Sequence, residues 1–496
     1  MPLQREFLRG SLTLILIVAL AAALRLYGLE IQSLCNDELS SWTRSHGISL
    51  IRAIAGAKDD VHPPLHHIVT WLVLNYAGDD ALYLRLPSAI FGILAVYRVY
   101  FLARDAYDHR AGLFAAATLA VSYTALFFSQ EARVYSLVAL LTVLSTHAAL
   151  HWAQALSHGQ RPPSRVVVRL CLWSILLIYA HYFGILTVAA QALALFILCF
   201  ARAPSRLGSL ILGYLVIAVS YLPWLPIMSF QLGLGPGWIA KPGPDWIVRL
   251  IDFASEGIRL QVVLAALLIV AAAVHALRNA RSASEKVTDR IGPASVLISV
   301  VVLPPILSII MSHSIVPVFT ERNLIGVLPV TCAIVGMALS WGFDVYGSRL
   351  PARRLIESLV LISLIVVSLF SVIVDLQYYR RPNREEFREA VNTLVHESRS
   401  EANPKAAFCA WNPKYFAYYA SRANWQGRFD PKLCSLADLD RSGLQSDDAP
   451  DELWLIWGHI APDPLMLAEL QKRFSVTPHG RYLGTGVYHL KRRVPL

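Results

Sequence analysis

The stretch SLCNDELSSW places two carboxylates, Asp37 and Glu38, a few residues after the first strongly apolar run of the chain. Repulsion between adjacent carboxylates raises the pKa of one of them and makes that group a better proton acceptor. Such a carboxylate can act as a general base that takes the proton of a poor nucleophile, for example a hydroxyl group. The two acids could instead cap a helix, because acidic side chains favour helix N-termini.

Other ionisable or polar residues also lie where apolar runs end. Ionisable groups at a membrane boundary are costly to desolvate, so they are usually paired or functional. The topology given below places them on one side of the membrane, which predicts a single outward-facing polar cavity. The residues are Asp37, Glu38, His62, His66, His67, Arg85, Glu131, Arg133, Tyr135, His181, His313, Glu321 and Arg322.

Some of these residues have simpler explanations. Glu131 and Arg133 could form a structural ion pair. We expect two other arginines, Arg25 and Arg98, to extend to lipid headgroups, as arginines near span ends often do. His62 and His66 have a spacing that suits a metal, but the two prolines between them favour a helix start that leaves His62 outside the helix. We therefore predict no metal site there and leave a role for a divalent cation open.

The composition indicates a membrane protein. The chain has 496 residues, of which 55% are hydrophobic and only 16% are charged, whereas soluble domains carry about 25% charged residues. The formal net charge is +10, but the basic residues lie in short loops between apolar runs, so membrane topology explains them better than nucleic-acid binding does.

Hydropathy predicts eleven membrane spans, at roughly 11–29, 86–103, 111–128, 136–155, 166–181, 184–201, 207–227, 258–277, 294–312, 323–341 and 355–376. With a cytoplasmic N-terminus, every loop or end on the cytoplasmic side is basic, as the positive-inside rule requires. Residues 65–77 are apolar but short, and counting them as a span would invert this pattern. We predict an interfacial helix there.

The topology predicts two domains. Residues 1–380 form the membrane domain, with a first outer loop at about 30–85 and a second long outer loop at 228–257 that is either a lid or an ordinary loop. Residues 381–496 read as a soluble α/β domain on the outer side, because one amphipathic helix pattern and three strand-like runs follow the last span. Cys409 and Cys434 either form a disulfide in an oxidising compartment or remain unpaired.

Several motifs resemble those of the GT-C class of membrane glycosyltransferases, in the branch of protein O-mannosyltransferases and bacterial lipid A aminoarabinose transferases. The motifs are NDELSSW, HPPL, YLRLPSAIFGIL, SQEARVYSL and FTERNLIGVLP. They cover most of the first 140 residues and a short stretch near residue 320. Tyr135 stands where some relatives carry an aspartate, and the WWD signature of oligosaccharyltransferases is absent.

The resemblance implies a GT-C fold in the bacterial inner membrane and a donor in which one sugar is joined through phosphate to a long polyprenol. It also implies transfer on the outer, periplasmic face, with inversion at the sugar carbon, to an envelope lipid, glycan or protein. Asp37 matches the presumed general base, with Glu38 orienting the acceptor or tuning Asp37. Arg322 matches a basic position that would hold the lipid phosphate.

The chemistry of such a donor agrees with these roles. A polyprenol cannot leave the bilayer, so its phosphate stays at headgroup depth, where the outer ends of the spans lie. Fixed arginines can stabilise the charge that develops on the phosphate as the glycosidic bond breaks. We rank Arg322 first, then Arg133 and Arg85, and expect His181 to donate a hydrogen bond. His62, Glu131, Tyr135 and Glu321 complete the predicted substrate-binding set.

Two other functions remain as alternatives. A secondary transporter would carry polar groups near the middle of the membrane and often an internal repeat, neither of which the sequence displays. A lipid-binding or scaffold protein would leave the acid pair and the arginines unexplained. The sequence names neither the sugar nor the acceptor.

Overall fold

The computed structural model describes residues 2–234, 237, 239–278, 285–346, 352–401, 404–446 and 449–493. The chain divides into two compact units, each described by itself below. The membrane unit comprises residues 1–27, 47–78 and 83–376, and the second unit comprises residues 28–46, 79–82 and 377–496. Parts of two predicted features lie outside the described residues: Arg281 and Arg349 of the basic loops, and Gly235, Pro236 and Trp238 of the second long outer loop.

The secondary structure is mainly helical. In chain order the helices are α1 (Pro2–Leu26), α2 (Asn36–Ser45), α3 (Leu50–Gly56), α4 (Leu65–Tyr76), α5 (Ala81–Ala106), α6 (His109–Val121), α7 (Tyr123–Ser129), α8 (Tyr135–Ser157), α9 (Ser164–Ala180), α10 (Phe183–Arg202), α11 (Leu207–Ser220), α12 (Leu225–Leu234), α13 (Trp246–Ser255), α14 (Arg259–Arg278), α15 (Glu285–Ser314), α16 (Val327–Val345), α17 (Arg353–Phe370), α18 (Phe387–Glu397), α19 (Lys414–Arg422), α20 (Leu436–Arg441) and α21 (Pro464–Arg473). The strands are β1 (Lys405–Cys409), β2 (Arg428–Lys432), β3 (Glu452–Gly458), β4 (Phe474–Tyr482) and β5 (Thr485–Arg492).

The long apolar helices confirm a multi-pass membrane protein. Seven helical segments in the described part of the chain could cross a bilayer, and the number rises to nine if two bent pairs, α6 with α7 and α13 with α14, each count as one span. The prediction of eleven spans is therefore not confirmed. Of the two others, Ser11–Leu26 is apolar but shorter, and α9 has only 17 residues.

The short apolar run after the first loop forms α4, a helix of 12 residues. At about 1.5 Å per residue a helix of this length reaches only about 18 Å, too short for the roughly 30 Å hydrocarbon core. Its length therefore fits the predicted interfacial helix.

Helix α8 is largely buried within the membrane unit. Trp152 on α8 is completely buried among apolar side chains of the main core. Close helix packing elsewhere depends on small residues, since a Cβ atom added at Gly336 of α16 would collide with the carbonyl oxygen of Ala111 on α6. Small residues at such contacts let two helix backbones approach closely.

A buried arginine fixes the bend between α6 and α7. Arg25, at the end of α1, is fully buried. Its guanidinium donates to the carbonyl oxygens of Ala120 at 2.9 Å and Leu119 at 3.0 Å, and to Ser129 Oγ at 3.2 Å. The expectation that Arg25 extends to lipid headgroups was wrong, because the open carbonyl groups at the end of α6 bind it inside the protein.

Gln130 makes the complementary contacts at the end of α1. Its side-chain Nε2 donates to the carbonyl oxygens of Leu24, Arg25 and Tyr27 at 3.2, 3.1 and 2.7 Å. Each of the two chain segments thus donates hydrogen bonds to carbonyl groups of the other, as a low-dielectric interior requires. The contacts fix residues 130–134, which carry Glu131 and Arg133.

The second unit contains a five-stranded mixed sheet with the order β2-β1-β3-β5-β4. Strand β1 is parallel to β2 and β3, whereas β5 is antiparallel to β3 and β4. The predicted helix and the three predicted strands correspond to α18, β1, β3 and β5. Cys409 and Cys434 form a disulfide, which resolves the alternative that the sequence left open.

Residues 28–46 belong to this second unit through specific hydrogen bonds. Ser33 Oγ donates to the carbonyl oxygen of Glu385 at 2.8 Å, and the Leu34 amide donates to the Tyr419 hydroxyl at 2.6 Å. The Asn36 amide donates to the Glu385 carboxylate at 3.2 Å. The segment that carries Asp37 and Glu38 is thus fixed by residues near the other end of the chain.

The Arg25 contacts predict a specific loss of stability. Replacing Arg25 with alanine leaves buried carbonyl groups without a donor, which should cost about 3 kcal/mol. We expect the apparent Tm of detergent-purified protein to fall for Arg25→Ala and to change little for Arg202→Ala, because Arg202 is exposed at the end of α10. Equal Tm values for the two variants would contradict this role.

Candidate active site

The two carboxylates of the opening motif have different surroundings at the start of α2. Glu38 is fully buried, and its Oε2 accepts a hydrogen bond from the Cys35 amide at 3.0 Å. This contact caps the helix, as acids in a first turn do. Asp37 is partly exposed, and its Oδ1 lies 3.5 Å from the Asn36 side-chain amide. Of the pair, Asp37 has the more accessible carboxylate.

A cavity of about 460 Å³ lies within the membrane unit. Its polar lining includes four residues of the predicted site, namely His62, Tyr135, His181 and Arg322. Apolar side chains of α10, α12 and α15 form much of the remaining wall, and these are Phe183, Ile185, Leu186, Met228, Leu232 and Met311. The cavity is therefore amphipathic, with a cation and histidines as well as a large hydrocarbon-compatible surface.

A buried charge cluster supports the polar wall. The side chain of Asp60 is 7% exposed, and its Oδ2 lies 3.0 Å from His67 Nε2 and 3.9 Å from Arg133 Nη1. Arg133 Nη2 in turn lies 3.3 Å from His62 Nδ1. Asp60 could not be predicted from the sequence, because nothing in the run DDVHPPL distinguishes it from the exposed Asp59.

The cluster keeps Asp60 charged. Burial raises the pKa of Asp60, but contacts with His62 and His67 and the charge of Arg133 outweigh burial and hold the pKa well below its usual value. Burial lowers the pKa of His62, and the charge of Arg133 lowers it further. The contact with Asp60 raises this pKa, but by less than the other two effects lower it. Near neutral pH the cluster therefore contains a carboxylate, a guanidinium and a neutral His62.

His181 presents a hydrogen-bond donor in a defined tautomer. Its Nδ1 accepts a hydrogen bond from the Phe183 amide at 3.1 Å, so in the neutral ring the proton is on Nε2. Burial lowers the pKa of His181 well below its usual value, and the charges of Arg133 and Arg322 lower it further. The ring of His181 lies 5.0 Å from that of His62 between centroids. Both histidines are thus neutral donors beside Arg322.

The other predicted substrate-binding residues have separate positions. Arg85 and Glu131 are buried at 1% and 5% exposure. Glu321 Oε1 lies 3.3 Å from Arg249 Nε, an ion pair that links the turn after α15 to α13. The described lining of the cavity does not include Arg85, Glu131 or Glu321. Their roles in binding stay predictions.

One residue of the second long outer loop forms hydrogen bonds beside the cavity. Gln231 on α12 donates from Nε2 to the carbonyl oxygens of Ala57 at 2.9 Å and Lys58 at 3.1 Å. Its Oε1 accepts a hydrogen bond from the Tyr182 hydroxyl. Gln231 thereby holds the segment that carries Asp60 next to the cavity. Whether residues 228–257 move as a lid stays a prediction.

The donor set at Asp60 suits a guanidinium better than a metal. Oδ2 of Asp60 already lies near the charged Arg133 side chain, whose positive charge opposes a divalent cation at this carboxylate. The Asp60 cluster is therefore a poor site for a metal ion.

The fold is similar to that of several solved structures. ArnT from Cupriavidus metallidurans in the apo state is similar over 96% of this chain and 97% of that chain, with a TM-score of 0.58 and 16% sequence identity. ArnT from the same organism bound to undecaprenyl phosphate has a TM-score of 0.58 and 15% identity, with the same coverage. The chain has the GT-C fold. Archaeal oligosaccharyltransferase AglB from Archaeoglobus fulgidus is similar over 98% of this chain and 75% of that chain, with a TM-score of 0.51 and 13% identity.

A family model agrees with the fold over part of the chain. The model of the dolichyl-phosphate-mannose-protein mannosyltransferase family matches residues 61–228. This range includes His62, Arg133, Tyr135 and His181. No curated protein matches the chain significantly.

The lowered pKa of Asp60 predicts how its contribution to stability depends on pH. Its folded-state pKa lies below the ordinary value of 3.8, so the ionised group stabilises the fold above that value and loses this effect only as pH falls through the lower folded value. Asp60→Asn should therefore lower the apparent Tm throughout pH 5 to 8, at a cost of about 3 kcal/mol.

The matched control is Asp59→Asn, since Asp59 is the exposed neighbour. We expect its Tm to lie close to that of the wild type. A difference between wild type and Asp60→Asn that disappears between pH 6 and pH 5 would mean that Asp60 has a raised pKa, and would contradict the cluster described here.

Proposed function

We propose that the protein is a glycosyltransferase that moves a single sugar from a polyprenyl-phosphate donor to a hydroxyl group of an envelope acceptor. The observation that carries this proposal is the amphipathic cavity, in which Arg322, His62 and His181 share a chamber with apolar side chains of three helices. A phosphate joined to a prenyl chain has the same two chemical parts. The similarity of fold to an ArnT structure with undecaprenyl phosphate bound supports the same class of ligand.

The polar wall suits a leaving phosphate. As the bond between the sugar carbon and the phosphate oxygen breaks, negative charge grows on the phosphate. Arg322 would stabilise this charge directly, with neutral His181 and His62 as hydrogen-bond donors. Arg133 would act from behind His62, because it lies 3.3 Å from that ring and is itself held near Asp60. Glu131, Arg85, Tyr135 and Glu321 remain candidates for sugar or acceptor contacts.

The acceptor must lose a proton in the same reaction. In this proposal Asp37 takes the proton of the acceptor hydroxyl while the acceptor oxygen forms a bond to the sugar carbon. The bond from this carbon to the phosphate oxygen breaks on the opposite face, so the sugar configuration inverts and polyprenyl phosphate leaves. The assignment rests on the accessible position of Asp37 in α2 and on the NDELSSW motif. Glu38 would support Asp37 by fixing the first turn of that helix.

The proposed membrane topology of the chain follows from the distribution of its basic loops. The N-terminus would lie in the cytoplasm of a bacterial cell, and the second unit would lie in the periplasm. A periplasmic location agrees with the disulfide between Cys409 and Cys434, because such bonds persist in oxidising compartments. The acceptor would then be a lipid, glycan or protein of the envelope.

The role of Asp37 predicts a loss of turnover without a loss of donor binding. Asp37→Asn should reduce kcat by about 1,000-fold, within the range that general-base catalysis contributes. The assay would use purified protein with a panel of polyprenyl-phosphate sugars and a membrane lipid extract as acceptor. Asp451→Asn is the control, since that carboxylate is 92% exposed. Near-normal turnover by the Asp37 variant would exclude this residue as the base.

The role of Arg322 predicts a different pattern. Arg322→Gln should lower kcat/KM by about 100-fold, as the loss of one fixed donor to a developing anion does. Arg322→Lys should recover part of this loss because it restores the charge without the planar fork. Arg165→Gln changes an exposed arginine at the start of α9 and should leave the rate unchanged. Equal rates for all three variants would mean that Arg322 does not stabilise the leaving phosphate.

A further inference from the structure

A second cluster of ligating side chains lies between α5 and α8. His147 and His151 are four residues apart on α8 and share one face of that helix. Asp105, near the end of α5, places its Oδ2 2.9 Å from His147 Nε2 and 3.1 Å from His151 Nε2. One carboxylate oxygen thus faces two imidazole nitrogens from another helix.

This cluster is distant from the cavity. Tyr135, which lines the cavity, begins α8, and His147 and His151 follow 12 and 16 residues later. At 1.5 Å per helical residue these steps correspond to about 18 and 24 Å along the axis. The side chains of Asp105 and His151 are 21% and 30% exposed, so the cluster is reachable from the surface.

The donor set is that of a transition-metal site. Two imidazoles and one carboxylate suit a borderline divalent ion, and Zn²⁺ commonly takes three such ligands with water in the fourth position. Bonds of about 2.1 Å in tetrahedral geometry separate neighbouring ligand atoms by about 3.4 Å. The observed separations of 2.9 and 3.1 Å are shorter than that value by about half an ångström or less, so the side chains need to move apart only slightly to admit an ion. All the ligand atoms lie within 4.8 Å of one another.

We propose that Asp105, His147 and His151 bind one divalent transition-metal ion, with Zn²⁺ as the best fit, and that the ion links α5 to α8. Two neighbouring side chains already hold Asp105 in position. Arg104 Nε donates to Asp105 Oδ1 at 2.7 Å, which leaves Oδ2 for the ion. Gln154 Nε2 donates to the Asp105 carbonyl oxygen at 2.7 Å. Contacts of this kind hold metal ligands in position.

Arg98 opposes the ion. Its Nη2 lies 3.3 Å from His147 Nδ1, and an arginine can only donate, so in the metal-free protein the imidazole proton is on Nε2. Coordination through Nε2 requires this proton to move to Nδ1, where it would face the guanidinium. Arg98 must therefore turn away when the ion binds, and it lowers the affinity of the site. This position also differs from the expected one, in which Arg98 simply extends to headgroups.

The test is metal binding by the full chain, purified without a polyhistidine tag. After chelator treatment, we expect the wild type to take up one equivalent of Zn²⁺, with a rise in apparent Tm. Co²⁺ should give visible absorption bands typical of nitrogen and oxygen ligands. His147→Ala and His151→Ala should each weaken binding by at least about 100-fold. His158→Ala is the control, because His158 is exposed just beyond α8.

Two results would overturn the proposal. The first is wild-type protein that takes up no stoichiometric ion, which would leave a hydrogen-bonded Asp–His–His cluster only. The second is an ion that binds as tightly to folded His147→Ala and His151→Ala as to the wild type. The wild-type titration needs no variant, so the test holds even if a substitution impairs folding.

A further variant tests the opposing role of Arg98. Arg98→Gln removes the cation and offers an amide oxygen that can accept the Nδ1 proton of coordinated His147. We expect Zn²⁺ affinity to rise about tenfold relative to the wild type. Weaker or unchanged affinity would contradict coordination through His147 Nε2.

Discussion

The membrane unit depends on one constraint, which is that every polar group buried in a low-dielectric interior needs a partner inside the protein. Helix α6 stops at Ser122, whose backbone is extended, and α7 continues at an angle of 62°. The carbonyl groups exposed by this bend are bound by Arg25, and the end of α1 is bound by Gln130. Because these contacts are reciprocal, the bend and the chain segment after it are fixed together.

The bend has a direct effect on the candidate active site. It places Arg133 where the guanidinium can contact His62 and approach Asp60. The contacts of the ion cluster all come from the protein itself, and such fixed groups can stabilise charge that develops on a bound phosphate. Gln231 acts from the other side by holding the backbone next to Asp60. Two unrelated parts of the chain thus position the same cluster.

Hydropathy and motifs predicted much of this architecture from the sequence. Local sequence patterns are enough to predict the long apolar runs, the short length of α4 and three strands of the second unit. Each of these features depends on one segment of the chain and not on distant residues. The role of Arg25 could not be predicted, because its acceptors lie about 95 residues away and become available only where α6 ends. Snorkelling was a reasonable expectation for an arginine near a span end, but it ignored the bend.

The candidate site was predictable to a similar extent. Motifs identified His62, Tyr135 and Arg322, and the position of a span end identified His181; all four line one cavity. They did not identify Asp60, since its burial and its three basic neighbours are properties of the folded chain. In the sequence Asp37 and Glu38 form one acidic pair. In the structure Glu38 is buried and caps the helix, whereas Asp37 is partly exposed. Neighbours in sequence can thus differ in burial and in hydrogen bonding once the chain has folded.

We propose that one cavity binds both a phosphate and a prenyl chain. The most direct measurement is the apparent Tm of the purified full chain with polyprenyl phosphate, with the matching polyprenol, and with inorganic phosphate. We expect the apparent Tm to rise clearly with polyprenyl phosphate and much less with polyprenol or inorganic phosphate alone. In Arg322→Gln the part of the rise that depends on the phosphate should be lost. Equal stabilisation by polyprenol and polyprenyl phosphate in the wild type would mean that the polar wall does not recognise the phosphate, and would contradict a shared site for the phosphate and the prenyl chain.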